Sequence, residues 1–293
     1  MKFVIAGALL FVLTGSVWTT EPKAPHPVKP VHKSEGNVQA AASLLTPFSD
    51  DEGPLKAGYT GVNYKRLHAL ISAKSRVIPK KGEFETSEEF AHRTADKDAL
   101  LAPLSTRQLY AFQMQPIEVT YNADTQAFEI GSKYNSHCKE ERMPADIDKP
   151  WVTCLVGSIS RNTDSYIGTN SFGAKRKILR TVGLDFAIAY QRAEAPTGYV
   201  VQSIGHGVRG FTFQDTVEVP LEKARTLKDK KIAVLFVGHL LDARIIQGEA
   251  ITNSPSVSDP TDIFIKQDAV PIEIKKIIYY VVPTGEVLAH REY

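Results

Sequence analysis

The residues of this chain best able to do chemistry are two cysteines, Cys138 and Cys154, and eight histidines, and their neighbours decide what that chemistry is. A nucleophilic or redox thiol is usually accompanied by a second cysteine at CxxC spacing or by a cationic partner. Neither cysteine has the first, and the fifteen residues between them, KEERMPADIDKPWVT, hold two prolines and seven charges. Such a segment has little apolar surface to fix it, so a Cys138–Cys154 disulfide is the expected use of both thiols, contributing about 3 kcal/mol by loop closure. His137 next to Cys138 has no further ligands at metal-site spacing. No metal and no cofactor is expected.

His239 closes an apolar run and is followed by Leu240, Leu241 and Asp242, so a base with an orienting carboxylate is one reading. The other is a histidine at the edge of the core, bonded to backbone. His206 lies in Gly205-His206-Gly207-Val208-Arg209-Gly210, a GxGxxG match. A dinucleotide loop must open a helix, so that the helix N-terminus faces the pyrophosphate. Here FTFQDTVEV follows and alternates as a strand does, so a glycine-rich link between strands is expected. No GxSxG and no HExxH occurs. The carboxylate runs at Asp50-Asp51-Glu52, Glu88-Glu89 and Glu140-Glu141 are adjacent residues, which point in different directions on helix or strand and so do not share a substrate.

The elements that must carry these residues begin with export. Met1-Lys2 precedes FVIAGALLFVL, an uncharged apolar run, and small residues follow it. This is the layout of a signal peptide over residues 1–20, with the mature chain starting between Val17 and Glu21. The alternative is an uncleaved N-terminal anchor, although the run is about half of the roughly 20 residues a span needs. Residues 21–43 read as a tether, with four prolines between Pro22 and Pro30. His26 and His32 lie within it as plain linker. No second long apolar stretch follows, so no span is expected once the signal is removed. Formal net charge is +2, which leaves no overall electrostatic footprint for nucleic acid or an anionic surface.

Residues 44–293 are expected to form a single α+β domain with a predominantly antiparallel sheet, two N-terminal helices and one short helix between strands; two small domains split near 160–170 are the alternative. NYKRLHALISAK puts Tyr64, Leu67, His68 and Ile71 on one helical face. Thr86-Ser87-Glu88-Glu89 is a capping box opening a helix that runs on towards Pro103. From Arg107 the period is two. QPIEVTYNADTQAFEIGS reads as a hairpin turning at Asn122-Ala123-Asp124. WVTCLVGSI is a strand, and KRKILRTV and LDFAIAYQRA are two strands separated by Gly183. Pro220 opens the short helix LEKARTLKDK, and IAVLFVGHLL is a strand buried on both faces. Gly248 to Asp268, polar and with two prolines, reads as a surface loop, and Pro283-Thr284-Gly285 turns a terminal hairpin.

GEFETSEEF, TYNADTQAFEI, NSFGAKRKI, VEVPLEKARTLKDKKIAVLFVGHL and PTGEVLAH together resemble a group of uncharacterised exported bacterial proteins, over most of residues 78–293. The resemblance implies export and fold, and transfers no site residue. Two functions follow as expectations. The first is a non-catalytic envelope module that binds a protein or glycan. The second is an exported hydrolase with a site assembled from scattered residues, His206, His239 and Asp242 among them.

Overall fold

In a computed structural model the chain is a β-rich α+β protein. The structure describes residues 45, 48–49, 53–74, 81–95, 101–114, 117–132, 138–141, 151–191, 199–204, 208–241 and 244–293. The signal, the tether, His26, His32, His137, His206, Asp242 and the Asp50–Glu52 run lie outside them. Twelve strands share one sheet: β1 (Leu109–Gln113), β2 (Ile117–Asn122), β3 (Ala127–Ser132), β4 (Cys138–Glu141), β5 (Trp151–Thr169), β6 (Lys175–Gln191), β7 (Tyr199–Ile204), β8 (Val208–Glu218), β9 (Ile232–Leu240), β10 (Ile246–Asn253), β11 (Thr261–Val281) and β12 (Glu286–Glu292). The main path runs β1-β9-β11-β6-β5-β4-β8-β3-β2. Three helices with full ranges among the described residues accompany it: α1 (Tyr64–Lys74), α2 (Ser87–Arg93) and α3 (Leu221–Leu227). They sit inside the chain rather than at its N-terminal end, the first two over the segments that carry the helical face and the capping box.

Local sequence explains each boundary. The Thr86 hydroxyl accepts from the Glu89 amide at 3.2 Å and the Glu89 carboxylate accepts from the Thr86 amide at 2.8 Å, a reciprocal cap. The helix is shorter than its periodicity suggests. Thr94 ends it, with its hydroxyl donating to the Phe90 carbonyl at 2.7 Å and competing with the helical ladder. Asn122 Oδ1 accepts from the Asp124 amide at 3.0 Å and closes the β2–β3 turn. Pro220 caps α3 rather than starting it.

β9 lies between β1 and β11, antiparallel to both. Its Val234 and Phe236 enter the main core, and its Ala233, Leu235 and Val237 enter a second cluster on the other face. Residues 248–268 are not the expected loop. Most belong to β10 and to the first part of β11, a strand of 21 residues. That part pairs parallel with β6 and antiparallel with β10, and the rest pairs with β9 and β12. Pro271 stands at the changeover, where a missing N–H costs no ladder bond, and its carbonyl accepts from the Leu241 amide at 3.0 Å. β6 likewise runs through Gly183 without a break.

Candidate functional site

His239 lines a shallow cleft of about 470 Å³ with Thr106, Arg107, Leu240, Leu241 and Glu273. The geometry follows from register. His239 stands opposite Leu109 of β1 and opposite Glu273 of β11, so imidazole and carboxylate leave the same side of the sheet. Gly238 permits the approach, because a Cβ there would lie 2.2 Å from the Glu273 carbonyl oxygen. His239 Nδ1 lies 3.1 Å from the Gln108 carbonyl oxygen, which only accepts. In the neutral ring Nδ1 therefore carries the proton and Nε2 is the basic nitrogen.

The cleft lacks the rest of a hydrolytic set. The Glu273 carboxylate accepts from Lys275 Nζ at 2.6 Å, so its hydrogen bond goes to a lysine and not to the imidazole. Among the described residues no hydroxyl or thiol hydrogen-bonds to His239. Cys138 and Cys154 face each other in register on β4 and β5, with sulfur atoms 2.17 Å apart, which is disulfide distance. Val208 to Gly210, the end of the GxGxxG match, belong to strand β8 and open no helix. Glu89 is occupied as a cap, and Glu140 and Glu141 are β4 residues. Among the described residues no cluster of three histidine, cysteine or acidic side chains is placed to hold a metal ion.

Two side-chain pairs that the sequence does not announce lie along the sheet. His68 Nε2 on α1 is 2.7 Å from Asp268 Oδ2 on β11, and its ring meets Phe186 edge-on. Both side chains are largely buried, so the pair ties α1 to the sheet. Arg161 on β5 grips Asp185 on β6. A larger cleft of about 610 Å³ lies between Gly53–Leu55 and the last hairpin. Its charges are paired: Lys276 with Glu292 at 3.1 Å within the cleft, and Glu286 with Lys223 of α3, which does not line it.

The surface least like an ordinary monomer is elsewhere. Residues 160–165 of β5 are exposed in an unbroken run, where alternation would mark one covered face. β5, β6, β11 and β10 thus continue past the core as a four-stranded sheet partly exposed on both faces, with Ile178 buried and Ile263 and Ile265 half-buried. Val182 and Phe264 are register partners on it, both exposed, with Asn162 and Thr252 flanking them. Leu179, Ile251 and Ile167 are exposed along the same strands. Among the described residues β10 pairs only with β11, which leaves a strand edge available. No helix among the described residues is long and apolar enough to cross a membrane. No protein family, curated protein or solved structure matches this chain.

Proposed function

We propose that this chain is an exported, non-catalytic binding module of the bacterial envelope, and that its working surface is the part of the sheet that runs past the core. The signal over residues 1–20 and the tether over 21–43 support export and presentation of one folded domain. The observation that carries the binding reading is the exposed Val182–Phe264 pair on an open sheet. Exposed apolar groups clustered on one surface mark interaction sites, whereas single ones are ordinary. The partner is an envelope protein or glycan, with the β10 edge and the apolar rows as its footing. Photo-crosslinking amino acids at Val182 and Phe264 should trap that component in cells, and one at Lys228 on the far end of α3 should not. Equal trapping at all three positions would refute the assignment of the surface.

A hydrolase is the second reading, favoured by the fixed tautomer of His239 and the carboxylate of Glu273 in the same cleft. It needs a nucleophile or an activated water that the described groups do not position. Loss of function in a folded His239→Ala variant, with trapping at Val182 intact, would put this reading first.

A further inference from the structure

We propose that the tip of the β5–β6 hairpin docks on an anionic phospholipid surface, with Phe172 entering the headgroup layer and Lys175, Arg176 and Lys177 meeting lipid phosphates. The proposal rests on the reading of the projecting sheet as the working surface, and it names what the far end of that sheet touches.

The tip is built to hold an aromatic ring in solvent. Asn170 Oδ1 accepts from the Phe172 amide at 3.1 Å and from the Ala174 amide at 2.9 Å. The Asn170 backbone donates to the Ala174 carbonyl at 3.1 Å and accepts from the Gly173 amide at 2.9 Å. Gly173 has φ +81°, which a side chain would resist. The turn is thus closed by four bonds to one asparagine, and it leaves the Phe172 side chain 88% exposed. Ile167, 63% exposed, precedes it on β5 as a further exposed apolar side chain of the same hairpin.

The charge around the ring has one sign. From Tyr166 to Arg180 the chain carries four basic residues and no acidic one. Lys175, Arg176 and Lys177 are consecutive on a strand, so their side chains alternate between the two faces and surround the tip with positive charge. The Arg176 guanidinium donates to the Val257 carbonyl, which fixes it without neutralising it. Val257 is itself exposed, beside the tip. The acid of that neighbouring loop, Asp259, is turned onto Asn253 and Thr261. Arg180, one step further in, lies 3.8 Å from Asp262. A whole-chain charge of +2 hides this concentration.

An exposed aromatic ring at a hairpin tip, flanked by cations, fits a flat anionic layer better than a pocketed partner. Basic residues near such a surface gain from its negative potential, and an aromatic ring is at home at the headgroup level. An exported chain meets membrane surfaces, and the source chosen here is the lipid headgroup rather than free phosphate.

The test is co-sedimentation of the chain, purified from the exported fraction, with vesicles of phosphatidylcholine alone or with phosphatidylglycerol at about one part in three. All variants share one N-terminus, so any binding by that segment is common to them. The wild type should sediment with the anionic vesicles and not with the neutral ones. Lys175→Gln, Arg176→Gln and Lys177→Gln together should weaken binding by roughly 100-fold, from about fivefold per charge. Phe172→Ala should weaken it by about 10-fold or more. Phe172→Trp should bind like wild type and shift its difference emission to the blue on anionic vesicles alone. Equal binding by the charge variant and the wild type, or an unshifted Phe172→Trp emission, overturns the proposal. A wild type that ignores both vesicles but is still trapped through Val182 overturns lipid docking alone and leaves the binding module standing. Failure of trapping with vesicle binding intact does the reverse.

Discussion

Arg161 Nη2 reaches both carboxylate oxygens of Asp185, at 2.6 and 2.8 Å, across the β5–β6 pairing at the line where the sheet passes from buried to open. Asp185 is 3% exposed, while Arg161 lies in the exposed run of β5. Gly183, the register partner of Arg161, makes the crossing possible. A Cβ at Gly183 would lie 2.5 Å from Arg161 Nη1 and 2.8 Å from the Ser160 carbonyl oxygen. The residue that reads in sequence as a strand break is therefore a gap left for a guanidinium.

Asp185→Ala should lower stability by about 1–2 kcal/mol. Breaking a fully buried pair costs roughly 3–5 kcal/mol, but the freed Arg161 reaches water, which removes much of that penalty. Gly183→Ala should cost a similar amount by pushing the guanidinium off Asp185. Because both changes remove one interaction, the double variant should lose less than the sum. Urea midpoints of the four proteins decide this, and strictly additive losses would mean that the glycine and the ion pair act separately.

Alkaline pH should unfold this protein through its buried tyrosines. Burial pushes the Tyr280 phenol up to about 12, with a smaller contribution from Tyr59. Tyr279 is raised as well, by burial first and then by its hydrogen bond to Asp215. A phenol raised in the folded state binds its proton longer than in the unfolded chain. Its stabilisation is complete below about pH 10 and is lost as pH rises through 12, roughly 2–3 kcal/mol for Tyr280. Tyr280→Phe should flatten the fall in melting temperature between those limits. An unchanged slope would show that the phenol ionises while the protein remains folded, or that another group sets the transition.

Legibility in the sequence followed locality. The Thr86–Glu89 cap, the Asn122 turn and the terminal hairpin are contained in a few residues each, and their side chains specify them without help from afar. The face of α1 and the double burial of β9 were readable because a covered surface selects apolar residues at a fixed period. β10 and the first part of β11 were not readable. Burial there is only partial on either face, so it selects no clear apolar alternation in the sequence, and the backbone bonds that make them strands come from each other and from β6. The parallel β6–β11 pairing joins segments about eighty residues apart, which hairpin logic does not reach. His239 was found by its place at the end of an apolar run. His68–Asp268 escaped because Asp268 sat in what looked like a loop, and the Lys175–Lys177 collar escaped because composition averages over the chain.

Cys138→Ser and Cys154→Ser should each cost about 2–3 kcal/mol, since either frees a loop of 15 residues in the unfolded chain. The register argument adds that the folded sheet survives: β4 and β5 pair through backbone at these positions whether or not the sulfurs are joined. Alkylation of freshly isolated native protein should label neither thiol. Stoichiometric labelling of both in the non-reduced protein would refute the crosslink in the cell.

The last expectation separates the two functional readings by one histidine. His239→Ala removes a single hydrogen bond, from Nδ1 to the Gln108 carbonyl, at a half-buried position. The stability cost should be about 0.5–1.5 kcal/mol, small enough for the variant to fold. If the chain works by binding, His239→Ala should keep its cellular phenotype, and Val182→Asp with Phe264→Asp should lose it while still folding, at a modest stability cost because the two carboxylates face each other across the β6–β11 pairing. If it works by hydrolysis, the pattern inverts: the imidazole is indispensable and the open sheet is not. Melting curves on each protein keep a stability loss from passing as a loss of function. A folded His239→Ala protein with a null phenotype, beside an active double aspartate variant, would move the working site from the projecting sheet to the cleft at Glu273.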